Sequence, residues 1–186
     1  MNPVTPSQTT GPYFGFALTA EHLARLVDDG DPGAIFINGT LTDGSEQPVR
    51  EGMVEIWQAN QHGRYSHPED NRYDVPMIES FQGFGRCHTE DDGSFSFVTV
   101  KPGRVPAVGG GLQAPHINIA VFGVGLLKPL RTRIYFSDEE EANESDPLLS
   151  GVDPDRRHLL VARLEGVTAR FDIRLQGPAE TPFFDV

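Results

Sequence analysis

Pro115-His116-Ile117-Asn118-Ile119-Ala120-Val121-Phe122 is a short run rich in β-branched and aromatic residues, and its reading as a strand decides the class of the fold. Successive side chains of a strand point to opposite faces, so His116 and Asn118 share one face. The same kind of short apolar or alternating run returns at 35–41, 53–58, 95–100, 131–136, 159–164 and 169–175. Turn signals such as Thr42-Asp43-Gly44 and Asp91-Asp92-Gly93 separate them. About seven strands with little helix predict an all-β domain, an antiparallel β-sandwich. A single domain over 1–186 is expected, because 186 residues with 38% hydrophobic content can bury one sizeable core.

Around these strands the chain carries three other kinds of segment. Thr5-Pro6-Ser7-Gln8-Thr9-Thr10-Gly11-Pro12-Tyr13 is dense in turn and extended-backbone formers, which predicts an extended N-terminal arm over 1–16. Residues 19–27 combine the N-cap candidate Thr19 with apolar positions at helical spacing and predict one short helix. Asp138-Glu139-Glu140-Glu141 reads as a solvated helix start. The long stretches 60–92 and 101–115 hold Gly, Pro and most of the candidate polar side chains, so function is expected there.

Charge and cysteine content narrow the classes of partner. The formal net charge is −12 and no Lys/Arg run exists, which argues against nucleic acid and anionic membrane. Cys87 is the sole cysteine, so no intrachain disulfide forms. Met1-Asn2-Pro3-Val4 lacks the features of a signal peptide and no run is long enough to cross a bilayer, so a cytoplasmic location is expected.

Candidate chemistry concentrates at the run that begins with Pro115. His116 and Asn118, on one strand face, could grip one metal ion, but a neutral amide is a poor donor to a hard trivalent cation. The pattern is that of a metal-binding strand lacking half its ligands. The remaining candidates have ordinary structural readings: Trp57 as packing, Cys87 as an inert buried thiol, and His22, His62, His67, His88 and His158 as surface histidines without ligand spacing.

Glu55-Ile56-Trp57-Gln58-Ala59, Asn71-Arg72-Tyr73, Gly83-Phe84-Gly85-Arg86, Lys101-Pro102-Gly103 and Pro115-His116-Ile117 occur in the order found in intradiol ring-cleaving dioxygenases, and the chain resembles that family over nearly its whole length. Thr5-Pro6-Ser7-Gln8-Thr9, Thr132-Arg133-Ile134-Tyr135-Phe136 with Glu140-Glu141-Ala142-Asn143, and the ending Phe171-Asp172-Ile173-Arg174-Leu175-Gln176-Gly177 resemble the family's alpha chains that serve protocatechuate. The resemblance implies an intradiol-type sandwich with long functional loops. It also implies a ferric ion held, in catalytic chains, by two tyrosines and two histidines. Tyr73 and His116 match one of each. Val105 stands at the second tyrosine and Asn118 at the second histidine, while Gln113 replaces an arginine near the substrate.

On this resemblance no catalytic or metal-binding residue is expected in this chain. Fe(III) is instead expected on a catalytic beta chain, the partner in a larger hetero-oligomer. Arg133, Thr9, Gly11, Pro12 and Tyr13 are the residues expected to reach the pocket shared with that chain, where protocatechuate and O2 meet. Two other readings stay open at this point. One is a self-sufficient dioxygenase drawing ligands from Tyr65 or His67. The other is a non-catalytic, transthyretin-like binding module.

Overall fold

Alternation appears first in β1 (Ala34–Thr42), where Ile35, Ile37 and Leu41 are buried and the residues between them are mostly part-exposed. The computed structural model describes residues 4–11 and 14–185. It continues with β2 (Met53–Trp57), β3 (Phe84–His88), β4 (Ser94–Val100), β5 (Val105–Pro106), β6 (Leu112–Gln113) and β7 (Ile117–Phe122). β8 (Leu130–Phe136), β9 (Val161–Glu165), β10 (Thr168–Arg170) and β11 (Ile173–Arg174) complete the strands described. The α-helices among the described residues are the short α1 (Phe14–Leu18) and α2 (Glu140–Glu144), so the molecule is mostly sheet.

Hydrogen bonding links nine of these strands into one continuous sheet. β4 lies antiparallel to β1, with Ala34 opposite Val100 and Thr40 opposite Ser94. The other edge of β1 takes β10 and then β11, both parallel. β10 pairs with β9, and β9 meets β8 in parallel through Tyr135–Val161 and Phe136–Ala162. From β8 the order runs antiparallel through β7 and β2 to β3. The two ends of this path, β3 and β4, are consecutive in the chain, and the sheet curls around one core. β5 and β6 form a separate two-stranded hairpin.

The expectation of a mostly-sheet domain holds, and the differences from the sequence reading have local causes. Pairing is mixed rather than antiparallel throughout, because the widely separated β10 and β11 dock beside β1. Residues 169–175 split into two strands at Phe171-Asp172, where the Asp172 carboxylate accepts from the Thr40 amide at 2.9 Å and its hydroxyl at 2.8 Å. Instead of a helix over 19–27, a single 3-10 turn covers Glu21–Ala24. The Leu26 amide then donates to the Val98 carbonyl at 2.8 Å, so the chain leaves the helical path for the edge of β4. The arm is irregular over residues 4–11, but Phe14–Leu18 is helical rather than extended.

The core unites strands from all around the curl. Ile37 and Leu41 of β1, Val54 and Ile56 of β2, Phe97 of β4 and Ile117 and Val121 of β7 are all within 1% of complete burial. Each such side chain contributes about 1.5–3 kcal/mol of hydrophobic stabilisation. Gly39 permits a close approach inside this packing, since a Cβ there would lie 1.9 Å from the Phe171 carbonyl oxygen.

Two buried polar residues brace the site described next. Gln58, fully buried, donates to the Val100 carbonyl at 2.8 Å and accepts from the Thr99 hydroxyl at 2.8 Å, tying the end of β2 to β4. Asp146, also fully buried, accepts from the amides of Ala114 (2.8 Å), Leu148 and Leu149 (both 2.9 Å) and from the Tyr135 hydroxyl (3.0 Å). That carboxylate fixes the backbone just before β7.

Candidate functional site

With Ala114 held by Asp146, its carbonyl is placed to accept the Nδ1–H of His116 at 2.8 Å. This fixes the imidazole as the Nδ1–H tautomer and leaves a lone pair on Nε2, which has no hydrogen-bond partner among the described residues. The ring is 3% exposed. Burial first, and the Arg133 charge second, push its pKa down to about 4, against the Ala114 hydrogen bond and Asp146. His116 is therefore neutral at physiological pH.

Asn118 lies two residues further along the same face, in register with Trp57 of β2 and Arg133 of β8. Its amide nitrogen donates to the Trp57 carbonyl at 3.2 Å, and its oxygen accepts from Arg133 Nε at 2.9 Å. Arg133 Nη1 donates to Gln113 Oε1 at 2.7 Å, and Gln113 Nε2 donates to the Pro106 carbonyl at 2.8 Å. The half-buried guanidinium is thus clamped by two neutral amides, one on β7 and one on the β5–β6 hairpin.

A cleft of about 600 Å³ opens beside this clamp, lined among others by Trp57, Tyr65, His67, Arg72, Val105 and Gln113. Trp57 stacks on Tyr65 with centroids 5.8 Å apart and meets His67 edge-on at 6.5 Å. Burial raises the Tyr65 phenol above its usual range, opposed by its hydrogen bond to Asn118 and by Arg133 and Arg72. Arg72 holds the Asp70 carboxyl low through a 2.8 Å hydrogen bond from Nε. Arg133 itself lines a smaller cavity of about 320 Å³, together with Glu55, Trp57, Phe84, Asn118 and Arg131.

Of the four positions matched to the ferric site, Tyr73 stands apart from the other three. Tyr73 is 82% exposed, with the Arg64 guanidinium 5.3 Å from its ring centroid. Val105 is buried in β5 opposite Gln113 and has no donor atom. Asn118 is committed to Arg133 and Trp57, which leaves His116 alone. These residues do not fit a ferric ion. No cluster of three or more His, Cys, Asp or Glu suited to a metal exists among the described residues.

Thr9 is exposed, yet its hydroxyl donates to the Gly123 carbonyl at 3.3 Å and accepts from the Gly125 amide at 2.7 Å, stitching the arm to the loop after β7. Gly11 is exposed, and Pro12 and Tyr13 lie outside the described residues. His22, His62, His67, His88 and His158 are all exposed. Cys87 is part-buried, and that burial pushes its thiol up to about 12, away from the reactive thiolate. Sequence reasoning missed Asp146, although Ser145-Asp146-Pro147 carries the signature of an aspartate capping a turn. It also missed the Arg133 clamp, which depends on register between strands and has no local signal.

The family model described as "Dioxygenase" matches residues 9–177. The protocatechuate 3,4-dioxygenase alpha chain of Pseudomonas putida is 42% identical over 98% of this chain and 96% of its own. The protocatechuate 3,4-dioxygenase beta chain of Burkholderia cepacia is 32% identical over 97% of this chain and 79% of its own. Among solved structures, the dioxygenase domain of a dioxygenase–carbohydrate-binding protein fusion from Streptomyces sp. SirexAA-E superimposes with a TM-score of 0.62 at 27% identity, covering 93% of this chain and 98% of that one.

Proposed function

We propose that this chain, which belongs to the intradiol ring-cleaving dioxygenase family, is the alpha subunit of an alpha–beta enzyme that converts protocatechuate and O2 to 3-carboxy-cis,cis-muconate. The observation that carries the division of labour is the contrast between His116, 3% exposed, and Tyr73, 82% exposed. A chain whose matched ligand positions are split between core and solvent leaves the iron to its partner, and we assign Fe(III) to the beta chain.

The role of this chain is then to assemble with beta and to shape the pocket they share. Protocatechuate is an aromatic carboxylate, and a subunit of net charge −12 attracts it only through cations gathered at the pocket. Arg133 is the cation we assign to that task. The arm within 1–16, with Thr9 and Gly11, is assigned to the partner interface. The stitch from Thr9 to Gly123 and Gly125 supports this, because it anchors the arm at one point and leaves Gly11 exposed. On the same reading the curled sheet comprises the two layers of an intradiol-type β-sandwich in one domain, and the complex is cytoplasmic, with no membrane or nucleic-acid partner. No helix among the described residues is long and apolar enough to cross a membrane.

Expression of the chain with and without the beta chain tests the proposal, with iron per chain and protocatechuate-dependent oxygen uptake as readouts. Iron and activity confined to the co-expressed complex are the expected result. Stoichiometric iron with a tyrosinate-to-iron absorption band in the lone chain would overturn it.

A further inference from the structure

The guanidinium of Arg133 meets the side chains of both polar positions at which this chain departs from the expected catalytic pattern. Its Nε reaches Asn118 Oδ1 at 2.9 Å and its Nη1 reaches Gln113 Oε1 at 2.7 Å. Its charge also acts on the buried imidazole of His116, whose Nε2 has no partner among the described residues. Remove the guanidinium in thought, and the two amide oxygens it binds remain, with the Tyr65 hydroxyl at Asn118 and the unpartnered imidazole nitrogen of His116 two residues before Asn118 on the same face. That donor set suits a borderline divalent cation such as Co²⁺ or Zn²⁺ far better than ferric iron.

We propose that Arg133 is a covalently attached cation that fills this pocket in place of a metal ion, with Asn118 and Gln113 as its ligands, and so bars metal from the chain. Amide oxygens are matched acceptors for a planar guanidinium fork, whereas an imidazole or a second arginine at those positions would repel it or compete with it. Two cations a few ångströms apart in a half-buried pocket repel strongly, so the site holds either the guanidinium or a metal. The inference rests on the reading of this chain as the subunit without iron. It adds the residue that enforces that state.

The test uses the assembled alpha–beta enzyme and Co²⁺ as the probe, measured by equilibrium dialysis against unmodified enzyme. Arg133→Ala and Arg133→Gln are expected to gain a saturable cobalt site, with affinity at least about tenfold above the unmodified enzyme, the factor that ~1.4 kcal/mol represents. Arg133→Lys keeps the charge and should gain none. Adding His116→Ala to Arg133→Gln should abolish the gain. If neither neutral variant gains cobalt, or if the gain survives loss of His116, the proposal falls. Arg133→Gln guards against a misfolded alanine variant, since it keeps a polar side chain in the pocket, and co-purification with beta reports assembly. A changed KM in these variants bears only on Arg133 at the shared pocket. Iron in the unmodified lone chain would instead sink the reading of this subunit as iron-free, so the two failures are distinguishable.

Discussion

The two faces of β7 obey different rules. Inward, Ile117, Ile119 and Val121 are 0–2% exposed and interlock with β1, β2 and β8. Outward, away from that core, Asn118 and the buried His116 just before the strand sit among polar groups whose placement is set by hydrogen bonds to Trp57, Arg133 and Ala114. The first face is specified by volume and the second by pairing. A face specified by pairing can change its chemistry through one or two substitutions without disturbing the core behind it.

The contrast is open to direct attack. The largest effect is expected inward: Ile117→Ala should cost roughly 2–5 kcal/mol in denaturant unfolding, through lost burial and a cavity that relaxes only in part. Next comes acid. The folded pKa of His116 is about 4, against about 6.5 when unfolded. The unfolded state therefore binds the proton first, and stability falls as pH drops from about 6.5 to about 4. The full loss is about 3 kcal/mol, at about 1.4 kcal/mol per pKa unit. His116→Gln should flatten that part of the stability–pH curve, and an unchanged slope would show that His116 already titrates normally in the folded protein.

Asn118→Ala comes third, at about 1–3 kcal/mol, because it leaves Arg133 Nε half-buried without an acceptor. If it costs more than Ile117→Ala, the outward face is the structural one and the comparison reverses. The smallest effect belongs to Tyr73→Phe, expected to change stability by about 0.5 kcal/mol or less. It should leave the iron content of the assembled enzyme unmoved. A drop in iron would mean that Tyr73, exposed in the isolated chain, joins a metal site in the complex.

The same division explains what could be read from sequence. Strands such as β1, β4 and β7 announce themselves through alternation or β-branched runs, because burial on one face imposes them locally. β3 does not: Phe84-Gly85-Arg86-Cys87-His88 has no such pattern and is a strand because β2 supplies its ladder, with the Arg86 Nε hydrogen bond to Glu55 at 2.7 Å across the pair. The two-residue strands β5 and β6 are equally silent. The exchange of a helix for a 3-10 turn near Ala24 shows a β edge outcompeting local propensity. At the site, the missing donors at Val105 and Asn118 were legible from residue types alone. The exposure of Tyr73 and the clamp on Arg133 were not, since both arise from how distant segments meet.

The parallel seam between β8 and β9 spans only two residue pairs, and just along β8 the Phe184 amide donates to the Arg131 carbonyl at 2.8 Å while the Thr132 hydroxyl donates to the Pro182 carbonyl at 2.8 Å. β1, near the beginning of the sheet, likewise waits for β10 and β11. During synthesis neither edge has a partner until residues 161–184 have emerged, so the nascent chain carries unpaired strands for most of its translation. Closure then requires pairings of long sequence separation, which fold slowly. Until that moment the nascent chain exposes unpaired strand edges for longer than a sheet of consecutive hairpins would.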